Sequence, residues 1–465
     1  MFRRFGVSQF IFVCFSSLGL AACGGGGGGG GSSTPSISLS NIPSPTTTLS
    51  SALTTGSASS NPTASYGAAT VSLDAYTTST GRSVASSPSV TRWDNSHLTD
   101  TSATTAWAAG WTGSGTTIAV IDDFSNTDTY YHYFNNIQRQ WEHRDWFNVL
   151  QGTSTHEVDY RIGMSFTHGA LVSNIAGGDA NRSAVAITEG WTAINNDQIS
   201  CSGSCSNYGP YYSSYFSDSS ASVSVVPMAG VAKEATIVNN HVDLSGRTTI
   251  TQTLNAIQSH IDNSRTFDAI NLSLGSYVQT SDVTFDAIAS DAINNNTIEY
   301  TSDAVIVTAL GNSGAACTKA NLAGCNAIAI AISVIPELKE SSIFAGALTG
   351  SGSSETIATY STRPGILKER SLLAQGHQGY LYDSSIDIAE GTSFAAPRIS
   401  GAAAILRHKF PNLSGKQAAN ILLLTADKDI NNDGIDDFTG ASETYGQGKL
   451  DLISALSPVG SLAIQ

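Results

Sequence analysis

The chain is predicted to form an α/β domain around a mostly parallel sheet. Two observations predict it. Short runs of consecutive apolar residues, many of them β-branched, occupy positions 117–121, 236–238, 269–272, 304–307 and 327–330. Such runs are what strands buried on both faces require. Helical patterns lie between them. Ile250, Leu254, Ile257 and Ile261 share one helical face, and Val283, Phe285, Ile288 and Ile293 make a looser stripe. Alternation of strand and helix defines the α/β class. In such sheets the reacting groups gather at the carboxyl ends of the strands, which singles out Asp122, Ser273 and Asn312.

A targeting segment precedes the domain. Arg3 and Arg4 are followed by an apolar stretch over 10–20, too short to span a bilayer. It ends in Leu20-Ala21-Ala22-Cys23, which resembles the lipobox of bacterial lipoproteins. That resemblance implies a signal peptide over 1–22 and lipidation of Cys23 as the mature N-terminus. Gly24 in place of Asp points, by the same resemblance, to an exported protein of the outer membrane or cell surface. An ordinary signal peptide is the alternative. A run of eight glycines follows, and Ser, Thr, Ala, Pro and Gly dominate to about residue 89. A flexible tether is expected over 23–92 and the folded domain over 93–465.

Charge narrows the partners. The chain carries 22 Lys and Arg against 37 Asp and Glu, a net charge of -15. A nucleic-acid partner is excluded, because phosphate binding needs a basic face. The acidity serves the solubility of an exported protein, or part of it ligates calcium. Of six cysteines, Cys14 and Cys23 belong to the targeting segment. The other four form two close pairs, Cys201 with Cys205 and Cys317 with Cys325. Four cysteines allow three connectivities, of which local pairing in an oxidising compartment is the simplest; a zinc site is the rival.

Four residues have the chemistry for acyl transfer, which needs a nucleophile, a base, an orienting carboxylate and oxyanion donors. Ser393, in Gly391-Thr392-Ser393-Phe394-Ala395-Ala396-Pro397, opens a small-residue helix. Locally it reads equally well as a helix cap or as a nucleophile favoured by the positive helix end. Pro397 is expected to be tolerated in the first turn. His168 is followed by the small residues Gly169 and Ala170, which leave its ring accessible. Asp122 and Asp123 both stand at the end of the first strand run, and position relative to the strand favours Asp122. Asn312 follows a buried strand in Ala309-Leu310-Gly311-Asn312-Ser313-Gly314.

Together these motifs resemble those of the subtilisin-like serine proteases. The seven residues from Gly391 to Pro397 match the family's nucleophile pattern, and the segment from His168 matches its histidine motif with Leu171 in place of a second histidine. The resemblance covers about residues 93–456. It implies a three-layer α/β/α fold and a serine endopeptidase with Asp122, His168 and Ser393 as its triad. It implies Asn312 in the oxyanion hole and Ser273, Leu274 and Gly275 as a strand along which substrate binds. Protein or peptide substrates are implied, no cofactor is needed for chemistry, and a monomer is expected. The chain departs from the family in having Asp123 and Phe124 after the triad aspartate and no evident folded propeptide over 32–89. The intervals between Asp122 and His168 and over 178–223 read as insertions around the cleft. A catalytically silent lipoprotein that binds peptide or calcium is the rival, and an acid protease of the sedolisin type lacks its carboxylate base here.

Two further motifs remain. Asp429, Asn431, Asp433 and Asp437 have the D-x-N-x-D-G start of a calcium loop, but Gly440 stands where a bidentate acid belongs. Structural calcium and an Asx-rich surface turn are both open. The segment 445–451 resembles the one closing the protease domains of autotransporter subtilases, and no barrel follows it before Gln465.

Overall fold

The computed structural model describes residues 42–46, 52–59, 96–122, 168–178, 230–241, 254–255, 258, 266–275, 284–294, 303–382 and 385–457, with short strands at 70–71, 76–77, 83–84, 90–91, 191–193, 198–201 and 222–224. The sheet is built from β1 (Thr117–Asp122), β2 (Thr236–His241), β3 (Ala269–Leu272), β4 (Val305–Ala309), β5 (Ser342–Thr349), β6 (Thr356–Ile357) and β7 (Ser371–Gln375). Its order is β6-β5-β4-β3-β1-β2, with β7 also paired to β5. Every pairing is parallel except that of the short β6 with β5.

Strand residues alternate between two apolar layers, as a period of two dictates. Ile118, Val120, Val305, Val307 and Ile343 face one core, and Ala119, Ile121, Ile270, Ile306 and Phe344 face the other. The first core is covered by α1 (Ala103–Ala108), α2 (His168–Gly177), α5 (Thr392–Lys409), α6 (Gly415–Leu424) and α7 (Leu452–Leu456). The second is covered by α3 (Phe285–Asn294) and α4 (Ala327–Val334). Helix, sheet and helix make the three layers that the motifs imply.

Two sequence expectations change. The run at 327–330 is helix α4, not a strand, and all of its residues are buried. A helix buried on every side has no polar face, so its pattern is that of a buried strand. The cue is Asn326, whose side chain caps α4 by accepting the Ile328 N–H. The second stripe is also shifted. α3 buries Phe285, Ile288, Ala289 and Ala292, while Ile293 is 40% exposed. Of the stripe starting at Ile250, Leu254 is buried and its other members lie outside the described residues.

The expected tether also needs amending, because two parts of it lie on the domain. Ile42 is buried in the second core, beside which Ser44 donates to Glu369 at 3.0 Å. Ala52 is buried in the first core. Gly56 N–H donates to Lys409 O, and Ser59 N–H donates to Gly110 O. His408 Nδ1 accepts the Thr112 N–H, so its Nε2–H donates to Ser57 O at 2.9 Å. The Ser59 hydroxyl donates to Glu234 at 2.9 Å. Gly110, at φ 90°, permits the approach: a Cβ there would lie 2.5 Å from Ala58 Cβ. Residues 42–46 and 52–59 thus pack on opposite sides of the sheet.

The two cysteine pairs fare differently. Cys317 and Cys325 are disulfide-bonded, as local pairing anticipates. The bridge expected between Cys201 and Cys205 lies outside the described residues: Cys205 is not among them, and of Cys201 the structure describes its place at the end of a short strand but not its side chain. Cys23 also lies outside the described residues.

Candidate active site

Asp122 is the last residue of β1, and its side chain is fully buried. His168 is the first residue of α2, with its ring one-quarter exposed. Asp122 Oδ1 lies 2.7 Å from His168 Nδ1. A carboxylate can only accept, so Nδ1 carries the proton and Nε2 is the acceptor of the neutral ring. Asp122 therefore reaches the imidazole; Asp123 lies outside the described residues. The ring packs on Phe394, the residue that follows Ser393, at 5.6 Å between centroids.

Ser393 is the second residue of α5, an 18-residue helix whose N-cap is Gly391. The positive end of that helix favours negative charge developing at the hydroxyl. The hydroxyl donates to Ser273 O at 3.2 Å. Pro397 stands beyond the first turn, contrary to expectation. It lacks the N–H that would bond Ser393 O across one helical turn. The Ser273 hydroxyl supplies that bond instead, donating to Ser393 O at 2.8 Å. Asn271 donates to Ser273 Oγ at 2.9 Å and accepts from Ser400 Oγ at 3.0 Å. The helix and the end of β3 are thereby joined beneath the nucleophile candidate.

Asn312 follows β4 and is held by the residue before Ser393. Its Oδ1 accepts from both the N–H and the hydroxyl of Thr392, each at 2.9 Å. The Thr392 hydroxyl in turn accepts the Gly311 N–H at 3.1 Å. Fixing Oδ1 in this way turns Nδ2 towards Gly391, where a Cβ would lie 3.0 Å from it. A glycine there leaves room for the amide. The geometry therefore gathers Asp122, His168, Ser393, Asn312 and Ser273 at the carboxyl ends of β1, β3 and β4. Leu274 and Gly275 continue from Ser273 along the same edge, with Leu274 buried and Gly275 half-buried. Sequence reading gave no role to Thr392 in holding Asn312, nor to Asn271 and Ser400. Only the nearness of Thr392 to Ser393 offered a cue.

The acidic loop is a separate structure. Asp429 accepts the N–H groups of Asp433 and Gly434, Asp433 accepts that of Ile435, and Asp437 accepts that of Ile430. Asn431 Oδ1 accepts the Asp433 N–H, and its amide donates to Asp433 Oδ2. The Lys449 ammonium donates to Asp429 O at 2.7 Å and Asn432 Oδ1 at 2.6 Å, and lies 3.3 Å from Asp427 and 3.4 Å from Glu355. These carboxylates accept the loop's own main-chain N–H groups, the pattern of an Asx-rich turn. Among the described residues no group of three His, Cys, Asp or Glu side chains is arranged to hold a metal.

A family model described as the subtilase family matches residues 113–448, well over half of the chain. The chain belongs to the subtilase family and is a serine-type peptidase, whose chemistry needs no cofactor. No curated protein matches it. Among solved structures it is similar to the MycP3 protease from the type VII (ESX-3) secretion system, at 19% identity over 89% of this chain and all 100% of that one, with a TM-score of 0.44. It is also similar to the patellamide maturation protease PatA, at 16% identity over 75% of this chain and 98% of that one, with a TM-score of 0.42. The family assignment rests on the match over 113–448 and not on these likenesses.

Proposed function

We propose that the chain is an exported serine endopeptidase that works through Asp122, His168 and Ser393, with Asn312 as an oxyanion donor. The observation that carries this reading is the 2.7 Å contact of Asp122 with His168, whose ring lies against the residue following Ser393. Substrate backbone lies along Ser273, Leu274 and Gly275 as an added strand. Ser393 Oγ attacks the scissile carbonyl as His168 Nε2 takes its proton. Asp122 holds the ring in that tautomer and stabilises the imidazolium. The Asn312 amide and the Ser393 N–H receive the oxyanion. His168 then protonates the leaving amine, and water hydrolyses the acyl-enzyme by the same route.

Lipidation at Cys23 would hold the enzyme at the outer membrane or cell surface as a monomer. A serine-directed phosphonofluoridate tests the chemistry. Labelling of the wild type but not of Ser393→Ala is expected, and no label on folded wild type would overturn the reading. Cys23→Ser should move the protein from membrane to soluble fractions; retention would refute the anchor.

A further inference from the structure

β3 and β4 pair in parallel as far as Leu272 and Thr308. Beyond that point one chain continues as Ser273-Leu274-Gly275 and the other as Leu310-Gly311-Asn312, and the ladder between them ends. Two main-chain carbonyls, Leu274 O and Ala309 O, are left at the parting. The Asn326 amide answers both, donating from Nδ2 to Leu274 O at 2.9 Å and to Ala309 O at 2.6 Å. Its Oδ1 accepts the Ile328 N–H at 3.0 Å, which caps α4. The side chain is fully buried. The preceding residue, Cys325, is bonded to Cys317, five positions beyond Asn312.

We infer that Asn326 is a positioning residue that sets the primary specificity of the enzyme. The inference rests on the proposed peptidase site. In the proposed pose, a substrate lying along Ser273–Gly275 with its scissile carbonyl between Ser393 and Asn312 sends the side chain before the scissile bond towards the space between these two segments. Asn326 fixes how far apart the two segments stand. The amide has donors and an acceptor on a short stem, which suits two carbonyls and an N–H. Aspartate has the same shape but turns an acceptor on two carbonyls. Serine keeps one donor and loses the other.

Asn326→Asp and Asn326→Ser are to be compared with wild type on tetrapeptide amides that differ only in Ala, Leu, Phe or Lys before the scissile bond. Rates are normalised to the fraction titrated by a phosphonofluoridate. Displacing the segments by about an ångström predicts a loss of about 10²-fold in kcat/KM on the preferred substrate for the aspartate variant. The ratios between substrates should shift by about tenfold, the range a pocket contact controls, with the serine variant between it and wild type. The pH profile, which reports His168, should not move. Unchanged ratios in whichever variant folds would overturn the inference, because a merely structural role lowers the titratable fraction and not the selectivity. A wild type that takes no label would sink the peptidase reading, and this inference with it.

Discussion

The cleft around Ser393 and the acidic loop at 429–437 are both dense in polar side chains, and they are organised in opposite ways. In the loop, carboxylates accept main-chain N–H groups of the loop itself, and Lys449 closes the remaining side. In the cleft, side chains from distant parts of the chain orient one another. Asp122 holds His168 by Nδ1, and Thr392 holds Asn312 by Oδ1. A reaction site needs groups whose orientation is fixed by others, whereas a turn needs only that its own main-chain donors be met.

Substitutions can break or sharpen that contrast. Ser393→Ala should lower kcat by about 10⁴-fold or more in a peptide-amide assay, because the triad acts as a unit. Asn312→Ala should lower kcat by about 10²–10³-fold with KM little changed, the signature of a donor used in the transition state. Thr392→Val removes one of two bonds to Asn312 Oδ1, about 1 kcal/mol of restraint, so a loss of about fivefold in kcat is expected. Lys449→Met should leave the kinetic constants alone and lower unfolding stability by about 1–2 kcal/mol, read by denaturant melts. Added calcium should leave the wild-type melting midpoint where it is. A kinetic effect of Lys449→Met, or a calcium-dependent rise in the midpoint, would end the distinction between the two regions.

The parts of the fold legible in sequence were those set by local pattern. Five apolar runs were read as strands, and four of them are β1, β2, β3 and β4. The fifth failed because α4 is buried all round and shows no period to read. β5 escaped notice because Gly346 interrupts its apolar run. At the site, Asp122, His168, Ser393 and Asn312 stand beside strand ends or helix starts that the sequence marks. The side chains that hold them could not be read this way. Thr392 meets Asn312 across 80 positions, Ser400 meets Asn271 across 129, and Asn326 meets Leu274 across 52. Composition gave the acidic loop its calcium-like pattern, but only the fold brings Lys449 into it.

If lipid is attached at Cys23 as proposed, the packing of Ile42 on the domain bears on the reach of the enzyme. The leash then runs to Ile42, where the chain first enters the core. Fully extended, that stretch spans at most about 65 Å, against about 245 Å had the leash run to residue 93. The volume the cleft can sweep from one anchor point falls about fiftyfold. Under that anchor, substrates held at the same surface would gain from the confinement, and those diffusing far from it would be out of range.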